Sequence, residues 1–494
     1  MQLEENKLPF IHLFQTAAGS YFYDVNCNRS VHVSDEAYSV LLKQQKKEND
    51  IKISSTVEKE LAGLKEEGFL KDIHIKKVKH PFTDILQYHL ESKLKLLILQ
   101  VTQNCNLRCE YCVYSGDYQN RIHSNRKMPF HIAKKSMDYF IEHSRNVEQL
   151  LMSFYGGEPC LNFKLIQQCV EYMEEAAEGK SVLYSLTTNA TLLNKKIIDF
   201  FAKHHFRMMI SLDGPKEIHD KHRKFSGSGE GSFDTVLRNM KYIKEEYPEF
   251  FQEGVHFNTV LDVENEFKII DDFVSGNDIL SGAEFKAASI DTKNTDKRYL
   301  TNPRYWEEIN YEYFKMMLEL LGKIPTGSSS KLLQDYKEDL RSALEENDNM
   351  ESEVLPEECH HGGPCLPGAT RLFVTVDGDF YPCEKVSEEL REAIIGNVEE
   401  GINLELAKKN LNFDVANAKK CNECWAYLKC RQCPAFSSCN LETLDKVKNQ
   451  YCKNTRNSAE EELMDVSILQ VLGCSVKESR GKPINGALKQ TIPG

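Results

Sequence analysis

Residues 94–112 read LKLLILQVTQNCNLRCEYC. Leu94–Val101 is an apolar run of strand length, and three cysteines follow it: Cys105, Cys109 and Cys112, spaced C-x3-C-x2-C. Three thiolates so close together leave one corner of a tetrahedral zinc site to a distant ligand. They can also hold three irons of a cubic [4Fe–4S] cluster and leave the fourth iron open to a chelating ligand. On spacing alone the alternatives are that cluster and a three-cysteine zinc site completed by a remote histidine.

Outward from this stretch, strand-like and helix-like segments alternate. Apolar runs rich in β-formers occur at Leu94–Val101, Leu150–Tyr155, Val182–Thr187, Met208–Leu212, Val255–Leu261 and Ala283–Ala287. Between them lie amphipathic stretches at Ala133–His143, Phe163–Ala176, Lys195–Lys203 and Phe233–Glu246. In the second of these, Leu165, Ile166, Cys169, Val170 and Met173 share one helical face. Six such units predict an α/β fold whose parallel sheet curls into a partial, TIM-like (β/α)6 barrel. Its function is expected at the carboxyl ends of the strands.

The 494 residues include 16 cysteines and carry a net charge of −13. The N-terminal MQLEENK has no basic and then apolar signal segment, and no apolar run nears the roughly 18–20 residues of a membrane span. A cytoplasmic protein is expected, with no membrane partner. There a reducing environment turns so many thiols toward metal or redox chemistry. The acidic surface would repel a polyanion, so no nucleic-acid partner is expected.

C-x3-C-x2-C with Tyr111 before its last cysteine resembles the signature of radical S-adenosylmethionine (AdoMet, SAM) enzymes, and further segments match that family in order. Gly156-Gly157-Glu158-Pro159 resembles its glycine-rich motif, whose backbone and carboxylate meet the AdoMet ammonium group. Glycines permit close backbone approach, and a glutamate supplies the acceptors an ammonium needs. SLTTNAT, Ser185–Thr191, and SLDGP, Ser211–Pro215, stand at the ends of strands three and four and resemble the family's ribose and carboxylate contacts. The resemblance spans about residues 94–290 and makes Tyr111, Ser185, Thr187, Asn189, Ser211, Asp213 and Arg223 candidate cofactor residues. It implies AdoMet chelated to the open iron, cleaved by an electron from the reduced cluster to methionine and a 5′-deoxyadenosyl radical. The protein's part is to position the groups and exclude water.

After a helical connector, Asn302–Asn347, nine cysteines fall in the 94 residues from Cys359 to Cys452. So little apolar content calls for bound metal as a staple. The order is Cys359-x5-Cys365-x12-Gly378-x4-Cys383, then Cys421-x2-Cys424-x5-Cys430-x2-Cys433, Cys439 and Cys452. A zinc ribbon is the alternative, although its two pairs usually stand roughly 15–20 residues apart. His360 and His361 could serve as zinc ligands or be ordinary loop residues. The pattern resembles the SPASM domain, which carries two auxiliary [4Fe–4S] clusters. That resemblance puts Cys359, Cys365, Cys383 and Cys433 on the first and Cys421, Cys424, Cys430 and Cys452 on the second. The last pair departs from the usual C-x3-C, and the extra Cys439 could replace Cys433 or Cys452. Of the remaining cysteines, Cys169 is expected in the core and Cys160 as a buried thiol.

Upstream, short segments at His12–Gln15, Tyr21–Val25 and Val31–Val33 precede helical stretches at Asp35–Gln45 and Ser55–Glu67, and Lys71–His80 looks like a linker. This order and the stretch FQTAAGSYFYDVNCN resemble a RiPP recognition element, a winged-helix-like module that captures leader peptides by strand addition. A capping subdomain of the barrel is the alternative. Five regions follow: 1–85 for this module, 90–300 for the barrel, 301–350 for the connector, 351–474 for the SPASM domain and 475–494 as a tail.

Together these parts resemble a peptide maturase, and CWAYLKC, Cys424–Cys430, resembles the thioether-forming, sactipeptide- or ranthipeptide-type enzymes. The resemblance implies as partners a precursor peptide with its leader and a flavodoxin- or ferredoxin-type reductant. Anaerobic sulfatase-maturating enzymes carry an aspartate base after the cysteine matching Cys383. Here that position is Glu384, the candidate catalytic base for formylglycine formation. Carbon–carbon crosslinking or decarboxylation of a peptide also remains open. A non-catalytic iron–sulfur electron carrier is the alternative from another class, against which the AdoMet-type motifs count.

Overall fold

Ser34 and Ser54 start the first two helices, Asp35–Gln45 and Ser55–Glu66, by accepting hydrogen bonds from the Ala37 and Val57 N–H groups. The computed structural model describes residues 8–48, 51–177, 179–292, 295, 297–349, 355–361, 365–436 and 444–474. These two helices cover one face of a three-stranded antiparallel sheet, β1 (Ile11–Thr16), β2 (Gly19–Asp24) and β3 (Arg29–Val33). Phe22, Val33, Ala37, Leu41, Val57 and Leu61 form the core between them. The opposite face is also covered. Phe10, Phe14, Tyr21 and Tyr23 pack with Tyr427 and Leu463 from the far end of the chain.

The stretch expected as a linker is built into the body. Within it β4 (Lys77–Val78) pairs in parallel with Glu358–Cys359, and the Lys77 ammonium meets the Glu358 carboxylate at 2.7 Å.

The central sheet follows the expected order. β5 (Leu96–Thr102), β6 (Gln149–Gly156), β7 (Ser181–Thr188), β8 (Arg207–Ser211), β9 (Val255–Leu261) and β10 (Glu284–Ser289) pair in parallel with their sequence neighbours. One face of these strands, with Met152, Phe154, Leu186 and Ile210, packs on helical residues Ile166, Met173, Phe201 and Met240 in one continuous core. Helices Phe163–Ala176, Lys195–Lys203 and Phe233–Glu246 have the bounds their periodicity predicts. Cys169 lies in that core as expected.

The sheet continues beyond the barrel. After β11 (Glu358–Cys359), β12 (Arg371–Val374) pairs in parallel with β5. β13 (Asp379–Tyr381), β14 (Gly396–Asn397) and β15 (Gly401–Ile402) add antiparallel to make ten strands. A 28-residue helix, Leu444–Val471, carries Cys452 and buries Ala459, Leu463, Val466 and Leu469. Among the described residues no helix is long and apolar enough to cross a membrane. Residues 475–494, expected as a tail, lie outside the described residues.

Candidate cofactor site

The cysteine loop after β5 is pinned by the end of β6. Gly157 N–H donates to Thr102 O at 3.0 Å, and Glu158 N–H donates to Asn104 O at 2.8 Å. The approach is so close that a Cβ on Gly156 would lie 2.0 Å from Thr102 O, and one on Gly157 2.1 Å from Asn104 O. Gly156 also takes φ +134°, where side chains rarely fit. These glycines let two backbones touch and set where Cys105 stands.

The Glu158 carboxylate, expected at the AdoMet ammonium, turns inward. It is 1 % exposed and accepts from Cys160 N–H at 3.1 Å, Thr188 Oγ1 at 2.8 Å and Asn189 N–H at 2.8 Å. Pro159 begins the buried turn that follows. Burial raises the Glu158 pKa against the lowering effect of these bonds. The carboxylate clips the ends of β6 and β7 together and presents Asn189, whose Nδ2 lies 3.8 Å from Cys105 Sγ and 3.0 Å from Asn106 Oδ1. Ser185 and Thr187, half-buried, alternate with the helix-facing Tyr184 and Leu186 and so line the opposite, luminal face of β7.

A second network closes the other side. Arg223 grips Asp213 bidentately, with Nε at 2.8 Å from Oδ2 and Nη2 at 3.2 Å from Oδ1, and the Tyr111 hydroxyl donates to the same carboxylate. The guanidinium carbon lies 5.4 Å from the Tyr111 ring centre. Burial alone would raise the Asp213 pKa; Arg223 overcomes it and holds the carboxyl below the usual carboxylate range. Ser211, at the end of β8, is buried beside this network.

The three thiols of the loop stand close enough to shape one another's acidity. Burial pushes Cys105 up to about 12, aided by Glu158, Cys109 and Cys112. Burial also pushes Cys109 up to about 12, opposed by Arg223, which hydrogen-bonds it. Cys112 is likewise raised by burial. Partly buried thiols beside a guanidinium and a glycine cradle suit a cluster that takes them as thiolates. The residues therefore fit a three-cysteine [4Fe–4S] centre with AdoMet beside it.

In the C-terminal region, the four cysteines expected on the second auxiliary cluster converge. Cys421 is pushed up to about 12 by burial, then by Asp414, Cys424, Cys430 and Cys452. The first auxiliary set is less gathered. Burial, with Glu384 and Cys433 adding to it, pushes Cys383 up to about 12. Cys359 instead packs in the aromatic cluster that holds Cys421 and Cys424. Cys365 is exposed, and Cys439 lies outside the described residues.

Glu384 is buried beside Arg371, with Oε1 3.4 Å from Nη1, and its Oε2 has no hydrogen-bond partner among the described residues. Next to it lies a pair that sequence reasoning missed. Arg121, from the cysteine-bearing loop, meets Glu388 at 2.6 Å, Gln100 of β5 donates to Glu388 at 2.6 Å, and Arg121 stacks 3.8 Å over Tyr114. No local pattern marks partners so far apart in sequence.

The profile of the Radical SAM superfamily matches residues 99–273. An uncharacterized protein of Methanocaldococcus jannaschii is 31 % identical over 317 residues, 64 % of this chain and 92 % of that one. A cysteine-type anaerobic sulfatase-maturating enzyme of Clostridium novyi is 28 % identical over 68 % of this chain and 87 % of its own. The solved structure of native anSMEcpe with bound AdoMet and Cp18Cys peptide superposes with a TM-score of 0.52 at 19 % identity, over 74 % of this chain and 99 % of that one.

Proposed function

The chain belongs to the radical SAM superfamily, and on that premise we propose that it modifies a ribosomally made precursor peptide by joining a cysteine sulfur to a carbon of another residue. It is a radical SAM enzyme related to anaerobic sulfatase-maturating enzymes. Cys105, Cys109 and Cys112 hold the cluster, and the donors Arg223 does not spend on Asp213 serve the AdoMet carboxylate. The Gly156-Gly157 backbone and Asn189, Ser185, Thr187 and Ser211 line the rest of the pocket. When bound, cluster and AdoMet supply a 5′-deoxyadenosyl radical that abstracts hydrogen from carbon. Cys421, Cys424, Cys430 and Cys452 hold one auxiliary cluster, and Cys383 and Cys433 contribute to the other. Glu384, with one buried oxygen uncommitted, takes the proton of the substrate thiol.

One observation carries the peptide reading: the joint between the N-terminal sheet and the second auxiliary cysteine set. The His12 ring of β1 lies flat on Trp425, centroids 3.6 Å apart at 6°, and Trp425 follows Cys424 directly. The helix Leu444–Val471 sits on β1, with His12 Nε2 3.3 Å from Glu460, and β3, at the other end of the strand order, offers an edge for an added strand. A leader bound there would deliver its core peptide alongside the auxiliary cysteines.

Formylglycine formation is the second reading, favoured by Glu384 directly after Cys383 and by the Clostridium novyi relative. The test uses the chain reconstituted anaerobically with iron and sulfide and supplied with dithionite, AdoMet and cysteine-containing peptides encoded beside its gene. A thioether removes two hydrogen atoms from the peptide and silences one thiol toward alkylation, whereas formylglycine from cysteine expels the sulfur. Cys109→Ala should abolish 5′-deoxyadenosine, and Cys383→Ala should retain it while losing peptide product. Unchanged 5′-deoxyadenosine in the first variant, or full product in the second, overturns the corresponding role.

A further inference from the structure

We propose that His360, His361 and Asp414 form a mononuclear site for a divalent cation of the zinc class, separate from every cysteine set. The two histidines follow β11, and Asp414 lies in the 3-10 turn Phe413–Asn417. All three side chains are buried, and their ligand atoms lie within 4.8 Å of one another. His360 Nε2 is 3.2 Å from Asp414 Oδ1, and His361 Nε2 is 3.5 Å from Oδ2. A tetrahedral cation with bonds of about 2.0–2.1 Å holds neighbouring ligand atoms about 3.3 Å apart, close to each of these two nitrogen-to-oxygen separations, one to either carboxylate oxygen.

The rings are turned as ligands are. His360 Nδ1 lies 2.5 Å from the His361 carbonyl, and His361 Nδ1 lies 3.0 Å from the Cys430 carbonyl. A carbonyl only accepts, so each Nδ1 donates its proton there, and each ring turns its Nε2 toward the same carboxylate. A backbone carbonyl behind Nδ1–H is the contact that fixes ring orientation in metal-ligating histidines. Among the described residues, His360 Nε2 and Asp414 Oδ1 have no hydrogen-bond partner, although both atoms are buried. A cation at the centre turns two nitrogen-to-oxygen contacts into bonds and neutralises the buried carboxylate. For both rings to donate to Asp414 as imidazolium ions, two positive charges would have to stack with ring centres 4.3 Å apart.

Two imidazoles and a carboxylate suit a borderline divalent ion, in contrast to the all-thiolate sets that suit iron–sulfur clusters. The cation takes no part in electron transfer. It joins the strand carrying Cys359 to the segment that leads into Cys421 and Cys430, so the staple acts beside the second auxiliary set.

The test is X-ray absorption at the zinc edge on the full chain, with its iron–sulfur clusters reconstituted first so that their thiolates are occupied. The protein is then treated with a weak chelator and given Zn2+. About one zinc per chain is expected, with a first shell of nitrogen and oxygen near about 2.0 Å, imidazole scattering and no sulfur. His361→Gln and Asp414→Asn should each lose that zinc while iron content holds. Failure to bind zinc, sulfur in the wild-type shell, or an unchanged shell in both variants would overturn the site. The wild-type spectrum decides the matter even if a variant fails to fold.

Discussion

A single methyl group on Gly157 would meet the Asn104 carbonyl oxygen at 2.1 Å and the Asn104 carbonyl carbon at 2.4 Å. Neither neighbour is a side chain that can swing away, so the loop bearing Cys105 must shift. Overpacking of this kind costs about 1–3 kcal/mol. The greater loss is expected in cluster assembly, because all three thiols sit on the displaced loop. Gly157→Ala should keep the fold by circular dichroism yet bind less iron at that centre and form little 5′-deoxyadenosine; normal iron and normal cleavage would show that the loop tolerates the shift. Arg223 is a different case. It pairs with a carboxylate that is 1 % exposed, so Arg223→Ala strands a buried charge, at a cost of about 3–5 kcal/mol. A fall in melting temperature with loss of AdoMet binding is expected, and Arg223→Lys should restore much of the stability without the bidentate grip. Asp213→Asn combined with Arg223→Ala should recover stability alone, which separates the ion pair's structural part from the ligand-facing one.

Elements with long periodic patterns were legible in the sequence, and short ones were not. Phe163–Ala176, Lys195–Lys203 and Val255–Leu261 follow from periodicity because each buries one face or alternates through a full strand. β12 to β15 run two to four residues each, too few to set up an alternation, and β5, to which β12 pairs, lies far upstream. The link Lys71–His80 hides for the same reason: β4 has two residues, and its Lys77 reads as solvated until Glu358 is placed opposite. The aromatic run of β2 gives a half-hidden signal, since the two helices bury one face of it and the other face is buried by Tyr427 and Leu463 from the other end of the chain. That sandwich has a measurable consequence. Trp425 packs on His12 and edge-on against Tyr23 at 6.3 Å, so Trp425→Ala should lower stability by about 1–3 kcal/mol. Limited proteolysis of the variant should then open the segment between the N-terminal helices and the barrel. A cleavage pattern identical to wild type would mean that the aromatic joint does not hold the N-terminal sheet in place.

Across the whole molecule, the sequence displays the cysteines but not the contacts that bring distant groups together. Glu388 looks like an ordinary charge in a polar stretch, yet it is nine-tenths buried against Arg121, and only the β5–β12 pairing brings the two together. The same burial governs how the protein responds to alkali. Without metal, burial first of all pushes Cys105, Cys109 and Cys383 from an ordinary value of 9.0 up to about 12. Between those values the unfolded chain has released these protons and the folded chain still holds them. Stability is therefore fully present below about pH 9 and falls as pH rises, by at most about 1.4 kcal/mol per pH unit for each such thiol. Cluster loading reverses the sign, because the folded protein then holds thiolates while the unfolded chain keeps its protons up to about pH 9, so stability rises toward that pH and levels off. Anaerobic thermal melts from about pH 7 to about pH 10.5 should show the metal-free protein losing melting temperature above about pH 9 while the reconstituted protein holds its value. Parallel curves for the two forms would mean that these thiols are not shielded from water in the folded chain, and the cluster assignments would fall with them.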